Sequence, residues 1–393
     1  MNQSFTRQEL YRLCKQSEYV DFGLNSNELN DLLSETFENI ISNNFEFDIK
    51  KVNEYYLTND LPNKLVLRKL NDNLKRLYKD EQANRRIIIS QIKSLLEESC
   101  PFWILKTDIS SFYESINRNR VIEKFQNDSM LSHQSMYLLN KLFSNELLNS
   151  TKGVPRGLNI SATLSEIYLR KFDKWVRRYE GVYYYARFVD DIIIFSNNEK
   201  SLNSLKENMD LKLAELAEGL VTNKSKTQSF DGSNIKSNKP LQYLGYKFIK
   251  KKTGKKVDLE ISIADKKINK IKTRIVLCFL DYTKNKNFLL LEKRIKFLTG
   301  NYSIRKSMDG NDLRAGIYYN YLHVNNYNIF SDLNTFYKKV LYSKNTNFGQ
   351  KLSISLTMEQ KDKLNKYCFK TGFTDKTYNS FTYDEMSNII RCW

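Results

Sequence analysis

A chain of 393 residues, 41% hydrophobic and 13% aromatic, can bury a sizeable core in two or three subdomains, which excludes a disordered polyelectrolyte. Its 63 Lys and Arg outnumber 45 Asp and Glu, and a net charge of +18 argues for a polyanionic partner, nucleic acid first. Five scattered cysteines, two histidines (His133, His323) and no long apolar run argue against a zinc centre, a disulfide framework or a membrane span. With no signal segment at the start, a cytoplasmic protein is expected.

Residues 1–100 read mostly as helices, with Leu10 and Leu13, then Leu65, Leu70, Leu74 and Leu77, recurring near helical spacing. The stretch from Arg68 to Arg86 is basic and runs into Ile87-Ile88-Ile89, which reads as strand-like. Residues 102–109 read as a strand and 115–150 as helix. Thr151 to Gly157, with two glycines around Pro155, is a loop. It feeds a helix with Ser161 as N-cap and an apolar face of Leu164, Ile167, Phe172, Trp175 and Val176.

Residues 182–188 and 191–195 are the arms of a hairpin. At its tip, Arg-Phe-Val-Asp-Asp-Ile-Ile-Ile sets Asp190 and Asp191 between apolar, β-branched runs. Two carboxylates placed there are costly unless they meet a cation or several donors. A divalent-metal site explains them, and residues 104–113 supply a third carboxylate, Asp108, after another short apolar strand. Neighbours in a flat strand point to opposite faces, but a hairpin tip lets both aspartates turn to one site, with Asp191 the weaker ligand.

Residues 202–220 read as helix and Leu241 to Phe248 as a strand. A turn near Thr253-Gly254 leads to Ser262-Ile263-Ala264-Asp265, which resembles a capping box. The following helix carries Ile268, Ile271, Ile275 and Phe279 as an apolar stripe, and helical, basic sequence continues to Trp393.

In order, these pieces resemble the motif series of a reverse transcriptase. Lys106 to Tyr113 matches motif A, and Val154-Pro155-Arg156-Gly157 with Ser161 matches motif B. Phe188-Val189-Asp190-Asp191 matches motif C, Asn223 to Thr227 motif D, and Gln242-Tyr243-Leu244-Gly245-Tyr246 motif E. The stretch Ser161 to Tyr168 and the segment Asp108 to Ile116 are similar to the prokaryotic abortive-infection and defence-associated enzymes. Arg294 to Tyr302, Ala315 to Tyr321 and the closing Cys392-Trp393 resemble the shorter polymerase of the class 3 defence system.

The resemblance implies an α+β right-hand polymerase. Residues 1–100 would form a helical N-terminal region and fingers. Palm would span 101–250 with a fingers insertion at 117–157, and 251–393 an α-helical thumb and C-terminal extension. It implies RNA-directed DNA synthesis from dNTPs with two Mg2+ ions (Mn2+ in vitro). Asp108, the neighbouring Ile109, Asp190 and Asp191 would hold the metals, and Lys226 would protonate or steady the leaving pyrophosphate. For Lys226, a plain surface lysine is the other reading.

The incoming nucleotide would meet Arg68, Arg85 and Arg86 as a triphosphate clamp, Arg86 first among them, together with Arg156. A solvated basic face is the alternative. Tyr113 would lie beneath the sugar, where its ring clashes with a 2′-hydroxyl, or simply pack in the palm. Gly157 would lie against the base pair, or merely turn the chain into its helix. Gly245 fits the primer-grip turn, and Lys251, Lys252, Lys266 and Lys270 would follow the template–primer backbone unless they are a solvated face. A noncoding RNA template, a DNA product, a second reverse transcriptase subunit in an oligomer, no membrane, and antiviral defence in a prokaryotic cytoplasm complete the expectation. A template-independent or protein-primed polymerase, or a catalytically quiet RNA-binding subunit, are the competing readings.

Overall fold

The computed structural model describes residues 2–15, 18, 22–79, 83–216, 219–253, 256–305 and 313–393. The side chains of residues 252–257 and 305 also lie outside the described set. Two compact units emerge: residues 1–88 with 100–232, and residues 89–99 with 233–393.

In the first unit, α1 (Arg7–Leu13) and α2 (Ser26–Ile41) precede a hairpin of β1 (Ile49–Val52) and β2 (Tyr55–Thr58). Helix α2 starts at a capping box in which the Asn25 side chain accepts from Glu28 N–H and Glu28 accepts from Asn25 N–H. Asp60 caps α3 (Leu61–Tyr78), with Pro62 in the first turn, where its missing N–H costs nothing. Helix α4 (Arg85–Glu97) follows, its residues from 89 on belonging to the second unit, so Ile87–Ile89 is helical and not strand-like. The isoleucine run suits either state by propensity, and the Asn84 side chain accepts from Arg86 N–H and so favours the helix start.

Strand β3 (Trp103–Asp108) leads through a short turn of helix, α5 (Phe112–Ser115), to α6 (Arg118–Asp128) and α7 (His133–Phe143). Helix α8 (Asn159–Arg177) buries Leu164, Ile167, Phe172 and Val176 and packs on α3. Ser161 lies inside its first turn and not at the N-cap, which is Leu158; the Ser161 hydroxyl instead donates to Pro155 O at 2.6 Å, tying the loop to the helix. Hairpin β4 (Val182–Phe188) and β5 (Asp191–Ser196) precedes α9 (Glu199–Ala214), shorter than the 202–220 expected, and β6 (Gln228–Asp231). The sheet is antiparallel, ordered β4-β5-β3-β6. Ile192 to Phe195 are fully buried, as expected of a strand covered on both faces.

In the second unit the expected strand 241–248 is two: β7 (Leu241–Tyr243) and β8 (Tyr246–Thr253), joined at Leu244-Gly245. Both turn residues have positive φ, 44° and 85°, the signature of a type I′ hairpin turn. β8 pairs with β9 (Lys256–Ile263) through Thr253 and Lys256, and Gly254 lies outside the described residues. Ser262 belongs to β9, so the capping box at 262–265 does not form; Ala264 is the N-cap of α10 (Asp265–Asn285) and makes no side-chain cap.

Helix α11 (Phe288–Thr299) then leads to a hairpin of β10 (Asn301–Arg305) and β11 (Leu313–Gly316), an interruption of the helical C-terminal region not anticipated. Six further helices complete the chain: α12 (Ile317–Asn320), α13 (Asn328–Leu341), α14 (Asn347–Ser355), α15 (Met358–Asn365), α16 (Phe369–Thr374) and α17 (Tyr383–Ile390). No described helix is long and apolar enough to cross a membrane.

Candidate active site

The end of β3 and the β4–β5 turn are locked together by register. Asp108 pairs directly with Asp191, and Ile109 N–H donates to Asp190 O at 3.2 Å. Residues directly opposite in an antiparallel pair share a face, so Asp108 and Asp191 leave the sheet on the same side. The turn holds only Val189 and Asp190, since Phe188 pairs with Asp191. Val189 has φ 60°, a conformation that a β-branched residue resists.

Arg187 over-determines that turn. Its side chain is 3% exposed and every guanidinium nitrogen is engaged. Nη1 and Nη2 donate to Glu166 at 2.9 and 2.7 Å, and Nε and Nη2 to Asp173 at 2.9 and 2.7 Å. Nη1 also donates to Val189 O at 2.9 Å. Burial works against its charge, and the hydrogen bonds and fields of Asp173 and Glu166 overcome it. Thus α8 grips the aspartate turn through one buried cation. Sequence reasoning missed Arg187, although an arginine inside an apolar strand, one residue before Phe-Val-Asp-Asp, signals a buried partner.

Asn223 N–H donates to Asp108 O at 2.8 Å and Ser110 N–H to Val221 O at 2.9 Å, stitching the 223–227 turn beside β3. That turn carries Lys226, whose ammonium donates to Asp108 Oδ2. Lys226 is therefore the counter-ion of a carboxylate here, while its side chain stays 63% exposed. Its hydrogen bond to Asp108 raises its pKa, keeping it protonated. Asp108 is 4% exposed, and its Oδ1 is buried without a hydrogen-bond partner. Burial, with the charge of Asp108 added, raises Asp190; burial and the charge of Asp190 push Asp191 up to about 6.

A cleft of roughly 510 Å3 opens on Asp108, Ile109, Asp190 and Lys226; Asp191 is not among its lining residues. Among the described residues no three acidic, histidine or cysteine side chains form a metal cluster. Two carboxylates with an orphaned buried oxygen nevertheless suit Mg2+, which takes one or two carboxylates and completes its shell with water and substrate phosphate. Lys106, on the same face two residues before Asp108, is a further cation in the fields of Asp191 and Asp108.

The β1–β2 hairpin closes one wall. Tyr56 N–H donates to Arg156 O at 2.7 Å, and a Cβ on Gly157 would stand 2.7 Å from Tyr56 O. With φ +105°, Gly157 is needed for backbone that packs on the protein's own hairpin. Arg156 is drawn to two acids, Glu114 at 3.1 Å and Glu54 at 3.6 Å, with its guanidinium over the Tyr113 ring at 5.8 Å. Tyr113 is half-buried; burial raises its pKa and Asp190 adds to the shift. It lines a smaller recess of roughly 400 Å3 with Gly157, Ala162 and Lys75.

Arg68 is not brought to either recess. It pairs with Glu18 at 2.7 Å and donates to Leu13 O. Lys75, two turns further along α3, is the cation that this helix presents to the recess; an i, i+7 step from Arg68 would have found it. Arg85 and Arg86 begin α4, Arg86 exposed, and neither lines these recesses.

The remaining expected contacts belong to the second unit. Gly245 is the second turn residue of β7–β8, Lys251 pairs with Glu260, and Lys266 and Lys270 stand exposed one turn apart on α10. The side chain of Lys252 lies outside the described residues.

No curated protein matches the chain. Among solved structures, telomerase from Candida albicans in complex with a TWJ fragment of telomeric RNA is similar at 12% identity, over 83% of this chain and 53% of that one, with a TM-score of 0.38. Telomerase from Candida tropicalis in the corresponding complex is similar at 15% identity, over 92% and 57%, with a TM-score of 0.36. This chain spans about half the length of those structures. The family model for reverse transcriptase (RNA-dependent DNA polymerase) matches residues 28–248, more than half of the chain, and the motif aspartates, the β4–β5 turn and the glycine loop all fall inside it. The chain belongs to the reverse transcriptase family, with its α+β fingers–palm fold.

Proposed function

We propose that the chain catalyses RNA-templated DNA synthesis in the cleft of Asp108 and Asp190. One observation carries the reading: β3 and the β4–β5 turn are hydrogen-bonded in a register that sets two motif carboxylates at the mouth of an open, cation-bearing cleft. Divalent cations, when bound, supply Lewis-acid activation of the primer 3′-hydroxyl and neutralise the triphosphate.

Asp108 and Asp190 would hold those cations, with Asp108 Oδ1 already desolvated and without a competing donor, and Asp191 would support them from across the strand pair. Ile109 would lend backbone. Lys226 would exchange its bond to Asp108 for the departing pyrophosphate and carry its proton to that oxygen. The Tyr113 ring floors the sugar pocket beside Gly157, and Lys75 and Arg156 meet the phosphates. In the second unit, Gly245, Lys251, Lys252, Lys266 and Lys270 track the template–primer duplex, consistent with the +18 charge.

The finer assignment, defence against phage with a noncoding RNA template and a second polymerase subunit, rests on the motif resemblance. The test is dNTP incorporation on a primed RNA template by wild type, Asp108→Asn and Asp190→Asn. Templated synthesis lost in both variants supports the reading. Incorporation that ignores the template indicates template-independent or protein-primed synthesis, and an inert wild type indicates an RNA-binding subunit.

A further inference from the structure

The far end of α8 carries a second surface that the polymerase reading leaves unused. A groove of roughly 840 Å3 lies between the last turns of α8 and the start of α9. Lys171, Lys174, Arg178 and Lys200 line it, against a single acid, Glu180. Each of the four cations is exposed, and none has a salt-bridge partner among the described residues. Lys212, also on the rim, is neutralised by Glu215 at 2.5 Å. Like charges concentrated this way repel one another and attract an anion.

Two half-buried aromatic rings stand among the cations. Trp175 and Tyr179 meet edge to face, centroids 5.3 Å apart and planes at 75°, and both line the groove. Trp175 is braced by Phe172 at 5.9 Å, and the Tyr179 hydroxyl bonds to Ser204 at 2.9 Å. The rings are thus braced from the protein side while both stay half-buried at the groove. Lys171, Lys174 and Arg178 follow one helix face over about 10 Å, a span too long for a single phosphate. Cations in a row beside fixed aromatic faces are what a single strand uses: phosphates along the charges, bases stacked on the rings. An acidic peptide would need the charges but not the rings.

We infer that this groove binds a single-stranded RNA segment outside the catalytic cleft. Trp175 lies sixteen residues along α8 from Asn159, so about 24 Å separates it from the motif B loop. A strand held there cannot be the nucleotide being copied and must be flanking RNA. The choice of RNA over DNA rests on the proposed templated reading; the surface itself does not.

The test uses the full chain, a fluorescent oligo(U) and a triple charge reversal, Lys174→Glu with Arg178→Glu and Lys200→Glu. Among the described residues these exposed side chains make no hydrogen bond, ion pair or ring contact, and a melting curve checks that the fold is kept. Reversal is expected to weaken binding at least tenfold near physiological salt and to flatten the log–log salt slope by about 2, at roughly 0.7 per lost phosphate contact on a single strand. Photocrosslinking with 5-iodouridine should map to Trp175 or Tyr179. An unchanged affinity and slope, a crosslink confined to other residues, or tighter binding of oligo(dT) than of oligo(U) would each overturn the inference. Incorporation on a short primed template, measured beside it, reports separately on the polymerase reading.

Discussion

Arg187 offers the sharpest perturbation of the site because it lies outside the cleft yet holds the turn on which the proposed chemistry depends. Replacing it with Ala leaves Asp173 buried and Glu166 half-buried without the Arg187 cation and frees the Val189 carbonyl. Breaking a buried pair by removing one partner costs about 3–5 kcal/mol. That is between two and nearly four orders of magnitude in the folding equilibrium. The strained Val189, with φ 60°, then loses the bond to its carbonyl, leaving the turn to its strand pairing and the Ile109 N–H to Asp190 O bond, and a residue in such a conformation stores about 1–3 kcal/mol. Relaxation would swing Asp190 away from Asp108.

Urea unfolding, with dNTP incorporation measured per folded molecule, reads both effects. Arg187→Lys keeps a charge but cannot bridge two carboxylates and a carbonyl at once, so part of the stability should return while incorporation stays depressed. An Arg187→Ala protein within about 1 kcal/mol of wild type that incorporates at the normal rate would refute the reasoning.

Metal binding should be visible without turnover. An ion that binds only the folded state adds about 1.4 kcal/mol at ten times its dissociation constant, so Mg2+ should raise the melting temperature of wild type and not of Asp108→Asn or Asp190→Asn; an equal rise in all three would sink the assignment. Tyr113→Val should admit ribonucleotides while retaining much of the dNTP rate, because a steric wall is removed. A palm ring that only packs would instead cost stability and lower both activities alike, which competing rNTP against dNTP beside a melting curve distinguishes. In the second unit, burial would push Glu292 up, but hydrogen bonds from Tyr367, Lys363 and Lys296 pull it down to about 2. A depressed carboxylate stabilises above its ordinary pKa, so Glu292→Gln should cost about 3 kcal/mol at pH 7 and progressively less as pH falls from 4.5 toward 2. A denaturation gap that stays constant down to pH 2.5 would show that the carboxylate is not held this way.

Much of the site is readable in the linear chain because its chemistry is local. Two aspartates inside an apolar run, a third after a short strand, and a glycine loop before an apolar helix each declare themselves through burial cost or backbone freedom. Where the decision is non-local, one-dimensional reading goes astray. Ile87–Ile89 fits strand or helix equally, and packing with the Asn84 cap chose helix. Ser262 and Asp265 have capping-box spacing, but pairing of Ser262 in β9 claims it first. Arg68 and Lys75 share one face of α3, and only the approach of Glu18 to the first leaves the second for the recess.

Lys226 could be named from its motif, yet its place on Asp108 depends on Asn223 and Val221 hydrogen-bonding to residues more than a hundred positions away. By itself the sequence determined the motif carboxylates and the excess of basic charge, since composition and short-range pattern carry those, and the α+β class followed from the motif resemblance. Tertiary structure alone decided that Arg187 clamps the aspartate turn, that Gly157 yields to Tyr56, and that four lysines and arginines gather around Trp175 and Tyr179. Those outcomes are sums of contacts between distant segments, and no stretch of the chain contains them.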